Sequence, residues 1–130
     1  MGGVPRISDA EWEVMQVLWA GEGPMTAQDV IDRLAEAKDW SPRTVKTLLN
    51  RLLKKGAIRH EARGKMYAYS PAVSEEACVR EERRSFLQRI YGGALTPMIA
   101  HFLKEERLSR EEIEELKRIL DEKAREVDAP

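Results

Sequence analysis

The sequence predicts a mostly α-helical chain that carries one small β-hairpin. Ser or Thr caps precede four segments with helical apolar periodicity, 35% of the residues are charged, and small and large residues alternate beside Arg63-Gly64. Capped, charged segments are typical of helices that expose one face to water, and alternation beside a glycine is typical of strands joined by a tight turn. The 130 residues make one domain of ordinary size and leave no room for most large enzyme folds.

Three helices are predicted before the hairpin, and each has a recognisable start. Ser8, Thr26 and Ser41 are the N-caps, because a side-chain oxygen there can accept a hydrogen bond from the first helical turn. The first helix ends near Gly21. The third ends at Gly56, since glycine suits the left-handed conformation that closes many helices.

The hairpin has predicted strands over residues 57–62 and 65–70, and Pro71 ends it. Three helices followed by a two-stranded hairpin is the order of a winged helix-turn-helix, with the third helix as the reading helix and the hairpin as the wing. We assign this unit to residues 1–72 and expect it to be a DNA-binding domain.

A helical dimerisation region is predicted over residues 73–130. Its helices run over about 74–91, 96–106 and 109–127, with Gly92-Gly93 as a break. Apolar residues of the last helix recur at heptad-like spacing and have no partner in the first half of the chain, so we assign them to a homodimer. The predicted dimer contacts are Ile99, Phe102, Leu103, Ile113, Leu116 and Leu120.

Positive charge is concentrated in one part of the chain. The net charge is only -1, yet residues 41–67 hold eight Lys or Arg and one Glu, a local balance of +7. Such asymmetry is expected where one surface of a protein meets a polyanion. Double-stranded DNA is therefore the predicted partner.

The third helix separates an apolar face from a polar one. A step of 100° per residue places Val45 and the leucines on the core side. Arg43 and Thr47, near the start of the polar face, can reach base edges in a major groove, whereas later basic residues and those of the wing are better placed for phosphates or the adjacent minor groove. The predicted DNA contacts are Ser41, Arg43, Thr44, Lys46, Thr47, Asn50, Arg51 and Lys54 of the helix, with Arg63 and Lys65 of the wing.

Other classes of function find little support in the sequence. Cys78 is the single cysteine, so it cannot form an internal disulfide or a thiolate cluster, and we expect it to be a small apolar helix residue. No phosphate-binding loop, metal-ligand spacing or nucleophile elbow is visible, so we expect no enzyme, no cofactor and no metal. No apolar run is long enough to span a bilayer, and no secretory signal is visible, so we expect no membrane insertion and a cytoplasmic location.

Three segments together resemble a known family, the BlaI/MecI/CopY repressors. They are residues 7–15, the pattern Trp-Ser-x-x-Thr-Val-x-Thr-x-x-x-Arg-Leu-x-x-Lys-Gly over residues 40–56, and Tyr67-x-Tyr69-Ser70-Pro71. The resemblance implies a dimeric bacterial winged-helix repressor that binds a palindromic operator of TACA/TGTA type through the third helix. By that match, the operator-facing residues are Ser41, Arg43, Thr44, Lys46, Thr47 and Arg51.

The resemblance also implies how such a repressor is switched off. The copper-responsive branch carries Cys-x-Cys motifs near its C-terminus, and this chain has none there. The other branch consists of the penicillinase and methicillin-resistance repressors. The resemblance to this branch implies that a membrane sensor protease cuts the repressor at an Asn-Phe bond after a β-lactam signal. The matching bond here joins His101 to Phe102, with His in place of Asn. The alternative is that Phe102 and its apolar neighbours only pack the dimer.

Two further alternatives use the same fold differently. A winged helix can dock a protein, with the basic face binding an acidic partner, or it can be gated by a small ligand in a dimer cleft. Salt-dependent, sequence-specific retardation of a palindromic duplex distinguishes the first alternative from a repressor. A change in DNA affinity caused by metabolites without proteolysis would favour the second.

Overall fold

The computed structural model describes residues 3–130, which form six α-helices and a three-stranded antiparallel sheet. This confirms the predicted mostly α-helical winged-helix architecture. Two compact units are present, one ending at Arg83 and the other beginning at Arg84. The elements are α1 (Asp9–Ala20), β1 (Met25–Thr26), α2 (Ala27–Ala35), α3 (Pro42–Lys55), β2 (Ile58–Arg63), β3 (Met66–Pro71), α4 (Glu75–Tyr91), α5 (Leu95–Glu105) and α6 (Arg110–Asp128).

The first unit packs α1, α2 and α3 around one apolar core. The predicted core face of α3 is confirmed, because Val45 and three of its leucines are buried and Leu53 packs against them. The best buried core side chains from the three helices include Val14, Met15, Val30, Leu49 and Leu52. Their burial supplies most of the driving force that holds α3 in place, since apolar area removed from water is the dominant favourable contribution to folding.

The helix starts follow the predicted capping pattern. Ser8 Oγ accepts a hydrogen bond from the Glu11 N–H at 3.2 Å, and Glu11 Oε1 accepts one from the Ser8 N–H at 2.8 Å. Thr26 and Asp29 form the same reciprocal pair at the start of α2. At the other end of α3, Gly56 has φ 78° and ψ 14°, the left-handed conformation expected of it.

The short strand β1 was not predicted. Met25 pairs with Tyr69 and Thr26 with Ala68, so the wing is a three-stranded sheet of order β1-β3-β2 rather than a lone hairpin. A strand of two residues is too short to show alternation, and Thr26 carries the capping signal of α2 at the same time. The two wing strands themselves are confirmed, with Arg63 opposite Met66 at their outer end.

The start of α4 packs with the first unit. Trp19 Nε1 donates a hydrogen bond to the Val73 carbonyl at 3.0 Å, and Cys78 is 2% exposed in the same core. Burial raises the pKa of the Cys78 thiol because the thiolate would lose its hydration. The compact unit therefore extends past residue 72 to Arg83. The functional division at residues 72 and 73 stays a prediction.

The second unit contains the end of α4 with α5 and α6. Phe86 and Phe102 stack with ring centroids 6.3 Å apart, and the Tyr91 hydroxyl lies 3.3 Å from His101 Nδ1. No helix in residues 3–130 is both long and apolar enough to cross a membrane. The unit leaves many large apolar side chains exposed in a single chain: Ile90, Leu95, Ile99, Phe102, Leu103, Leu116, Ile119, Leu120 and Val127.

Candidate nucleic-acid interface

The outer face of α3 is polar and basic along its whole length. Because successive side chains are 100° apart, the polar residues of α3 lie on the face opposite the buried leucines. The structure exposes all of the predicted contacts on this helix: Arg43, Thr44, Lys46, Thr47, Asn50, Arg51 and Lys54. The face is about four turns long and contains both hydrogen-bond donors and fixed positive charges, which is the chemistry needed to contact base edges and phosphates together.

Ser41 has a structural role at the start of this face. Its Oγ accepts a hydrogen bond from the Thr44 N–H at 3.2 Å, and the two hydroxyl oxygens are 3.1 Å apart. Ser41 is therefore engaged as the N-cap of α3, and Pro42 occupies the first helical turn. The N-terminal end of a helix carries a partial positive charge, which adds to the charge of Arg43 near the same end.

The wing adds a second basic surface. Arg63 and Lys65 are exposed on either side of Gly64, which has φ 62° in the tight turn. The turn therefore presents two positive charges at the tip of β2 and β3. The predicted wing contacts and the predicted α3 contacts belong to the same compact unit, which ends at Arg83.

Sequence reasoning missed an aromatic group on the wing. His60 and Tyr67 meet edge to face with ring centroids 4.6 Å apart, and Tyr69 lies beside them. Tyr67 is 54% exposed, and the neighbouring Met66 is 51% exposed. A groove of about 300 Å³ lies between this group and α3, lined by Thr26, Ala27, Gln28, Lys46, Met66, Tyr67 and Tyr69. The alternation of Tyr67 and Tyr69 placed both on one strand face, but their position beside Lys46 depends on the fold.

One of the eight basic residues in the segment 41–67 is engaged elsewhere. Lys55 donates hydrogen bonds from Nζ to Glu11 Oε1 and, at 2.9 Å, to the Arg6 carbonyl. Its ammonium is therefore bound to the start of α1 instead of being free beside Lys54. Helical spacing from Val14 and Met15 places Glu11 on the core side of α1, but no local pattern pairs it with Lys55.

No metal centre is formed by the part of the chain that the structure describes. Within residues 3–130, no three His, Cys, Asp or Glu side chains come together closely enough to hold an ion. The arrangement of α3 and the wing can instead bind a polyanion by charge and hydrogen bonds. Three helices, an exposed basic third helix and a basic wing define a DNA-binding regulator of the winged helix-turn-helix class.

Comparison with known proteins specifies this class further. The family model for the penicillinase repressor matches residues 7–122. A penicillinase repressor of Bacillus licheniformis is 43% identical over 119 residues, which are 92% of each protein. The methicillin resistance regulatory protein MecI of Staphylococcus aureus is 38% identical over 91% of this chain and 95% of its own length. The chain belongs to the penicillinase repressor family, whose members are DNA-binding transcriptional repressors.

A solved structure supports the fold of the first unit. The solution structure of monomeric Bacillus licheniformis BlaI in complex with the blaP half-operator has a TM-score of 0.51 and 42% sequence identity. The match covers 59% of this chain and 93% of that one. The winged-helix fold predicted from the order of helices and strands is thereby confirmed.

Proposed function

We propose that this protein represses transcription as a homodimer on a palindromic operator of TACA/TGTA type, acting in the cytoplasm. Each protomer reads one half-site through α3 and holds the backbone through the wing. The observation that carries the proposal is the continuous exposed polar face of α3 beside the basic wing tip. The relative described above, bound to a half-operator, supports the same mode of binding.

Within this proposal the residues of α3 divide into two roles. Arg43 and Thr47 contact base edges, because they lie on the exposed face near the start of the helix. Lys54 lies near the other end and contacts a phosphate, as do Arg63 and Lys65 from the wing. The remaining exposed positions, Ser41, Thr44, Lys46, Asn50 and Arg51, border this surface and complete the proposed interface.

Binding of an operator duplex and of a random duplex by single variants tests this division. Arg43→Ala should weaken operator binding by about 1–3 kcal/mol and relax preference at one base pair, since a lost base contact costs specificity. Lys54→Ala should weaken both duplexes alike and reduce the salt slope by about one phosphate contact. Equal loss on both duplexes for Arg43→Ala would remove Arg43 from the base-reading set.

The proposed dimer contacts are six apolar residues of the second unit, most of them exposed. Leu116 and Leu120 are 36% and 59% exposed in the single chain, which is costly for leucine unless another surface covers it. Ile113 adds a partly buried neighbour on α6, while Ile99, Phe102 and Leu103 are exposed on α5. A second copy of the chain is the proposed cover, because two linked half-sites then add their binding free energies.

Sedimentation and operator binding test the dimer together. Leu116→Glu combined with Leu120→Glu should give a folded monomer with much weaker operator binding. Arg118→Glu is the matched control, because it makes the same change in charge on a different face of α6, 200° from Leu116. A wild-type chain that sediments as a monomer yet binds the palindrome undiminished would contradict the proposal.

We further propose that proteolysis ends repression. A membrane sensor protease activated by a β-lactam-type signal would cut between His101 and Phe102, both exposed on α5. Such a cut removes α6 with its apolar residues, so the reading unit loses the contribution of the second half-site. Regular helix is a poor protease substrate, so local opening of α5 must precede cutting, and Gly92 and Gly93 weaken the segment before it.

Induced cells provide the test of proteolysis. His101→Ala with Phe102→Asp should leave the repressor at full length and repression on, provided that sedimentation shows the variant still dimerises. Arg107→Ala, an exposed change beyond α5, is the processing control. Induction with the wild-type repressor recovered at full length would reject proteolysis and favour gating by a small ligand.

A further inference from the structure

A buried carboxylate on α1 binds the last residue of α3. Glu11 is 1% exposed, and its Oε1 accepts hydrogen bonds from the Ser8 N–H and from Lys55 Nζ. Lys55 Nζ also donates to the Arg6 carbonyl. A single ammonium therefore joins the segment before α1, the first turn of α1 and the end of α3.

The charge of Glu11 depends on this contact. Burial alone raises the pKa of Glu11, but hydrogen bonds from Lys55 and Ser8 outweigh it, so the net pKa is lowered and the carboxylate stays ionised. Its second oxygen, Oε2, is buried and receives no hydrogen bond from the described residues. Lys55 is thus the main counter-charge of a group that the core has removed from water.

Lys54 and Lys55 are neighbours in sequence with different roles in the structure. The 100° step between them leaves Lys54 on the exposed polar face and directs the Lys55 ammonium to α1. The leucines beneath α3 pack without a strong directional preference, whereas an ion pair with hydrogen bonds constrains both distance and direction. The pair therefore adds a directional constraint on the rotation of α3 that apolar burial alone does not supply.

We propose that the Glu11–Lys55 pair is a positioning device for the reading helix. It fixes the rotation of the C-terminal end of α3 against α1, so that the polar face meets DNA in one orientation. Lys55 itself then contacts no phosphate, although it lies within the basic segment. The inference rests on the proposed reading of DNA by α3, and it is independent of dimerisation and proteolysis.

The test replaces both charges, because removing Lys55 alone leaves the Glu11 carboxylate buried without a counter-charge and could unfold the protein. Glu11→Leu with Lys55→Met should fold, as helical circular dichroism and a cooperative thermal transition would show. Affinity for a random duplex and its salt slope should stay at the wild-type values. The ratio of operator to random affinity should fall about tenfold, the size of one misplaced base contact.

Two single variants serve as controls. Lys54→Met should lower the salt slope by about one while leaving the operator ratio unchanged. Lys55→Arg keeps a cation and hydrogen-bond donors for Glu11, so the operator ratio should stay near that of the wild type. A reduced salt slope in the double variant would assign Lys55 to phosphate binding and overturn the proposal, as would an unchanged operator ratio.

Amide hydrogen exchange in the free protein makes the test independent of DNA. The last turn of α3 should exchange faster in the double variant, while α2 exchanges as in the wild type. Unchanged exchange in that turn would also overturn the proposal. A wild-type protein that binds operator and random duplexes equally would refute the proposed function. The positioning of α3 by the ion pair would then be tested by hydrogen exchange alone.

Discussion

Gly56 provides a quantitative test of how α3 ends. Its backbone has φ 78°, and its N–H and that of Ala57 close the last turn of α3 onto carbonyls of Leu52 and Leu53. A Cβ built at Gly56 would meet no atom within 4 Å. Substitution by alanine therefore introduces no clash with neighbours, and its cost comes from the left-handed backbone alone.

The expected loss for Gly56→Ala follows from two opposing contributions. A left-handed conformation costs an alanine about 1–2 kcal/mol. Reduced backbone freedom in the unfolded chain returns about 0.4–1 kcal/mol. The free energy of unfolding should fall by about 1 kcal/mol, which urea unfolding followed by circular dichroism can resolve, with an unchanged m-value because the buried area is the same.

Two other variants make the result interpretable. Gly56→Asn should lose less than Gly56→Ala, since asparagine tolerates the left-handed region. Gly23→Ala should lose nothing or gain slightly, because Gly23 also has open space at its Cβ but lies outside the positive-φ region. Equal stabilities for Gly56→Ala and wild type, or equal losses at both glycines, would refute the reasoning.

Three further predictions concern single side chains. Ser41→Asp should keep the N-cap of α3 and the stability of the protein, because aspartate also caps helices. Its added negative charge should weaken DNA binding in a titration with an operator duplex. Undiminished affinity would place this end of α3 away from DNA. Folding lowers the pKa of Glu11, so the stability that its carboxylate contributes should be lost as pH falls from about 4.5 through the pKa of Glu11 in the folded protein. Urea unfolding at several pH values should show that Glu11→Gln lacks this contribution. Parallel stability curves for the wild type and the variant would contradict the prediction. Iodoacetamide should modify Cys78 slowly until urea unfolds the protein, since burial raises the thiol pKa; equal rates in both states would show that the thiol is accessible.

The helices of the first unit were predictable because their signals are local. The capping boxes at Ser8 and Thr26 and the left-handed glycine at Gly56 each lie within a few residues of the helix end that they specify. The exposed face of α3 was predictable for the same reason, since helical spacing alone separates it from the buried leucines.

The missed features all depend on contacts between distant segments. The strand β1 exists because Met25 and Thr26 pair with β3, far along the chain. The partner of Lys55 lies 44 residues away on α1, so a local count of charges grouped Lys55 with the other basic residues of the segment 41–67. The burial of Cys78 likewise depends on a contact between α4 and the core of the first unit, which apolar periodicity along α4 does not reveal.

The indole pair of the first unit gives the two halves of the chain different optical signals. All three tryptophans, Trp12, Trp19 and Trp40, precede Arg84, and the rings of Trp12 and Trp19 meet edge to face with centroids 5.5 Å apart. Indole emission therefore reports only on the first unit, and the contact between the two indole rings is lost when α1 unfolds. A chemical denaturation followed by emission and by helical ellipticity would then separate the unfolding of the first unit from that of α5 and α6 in one sample.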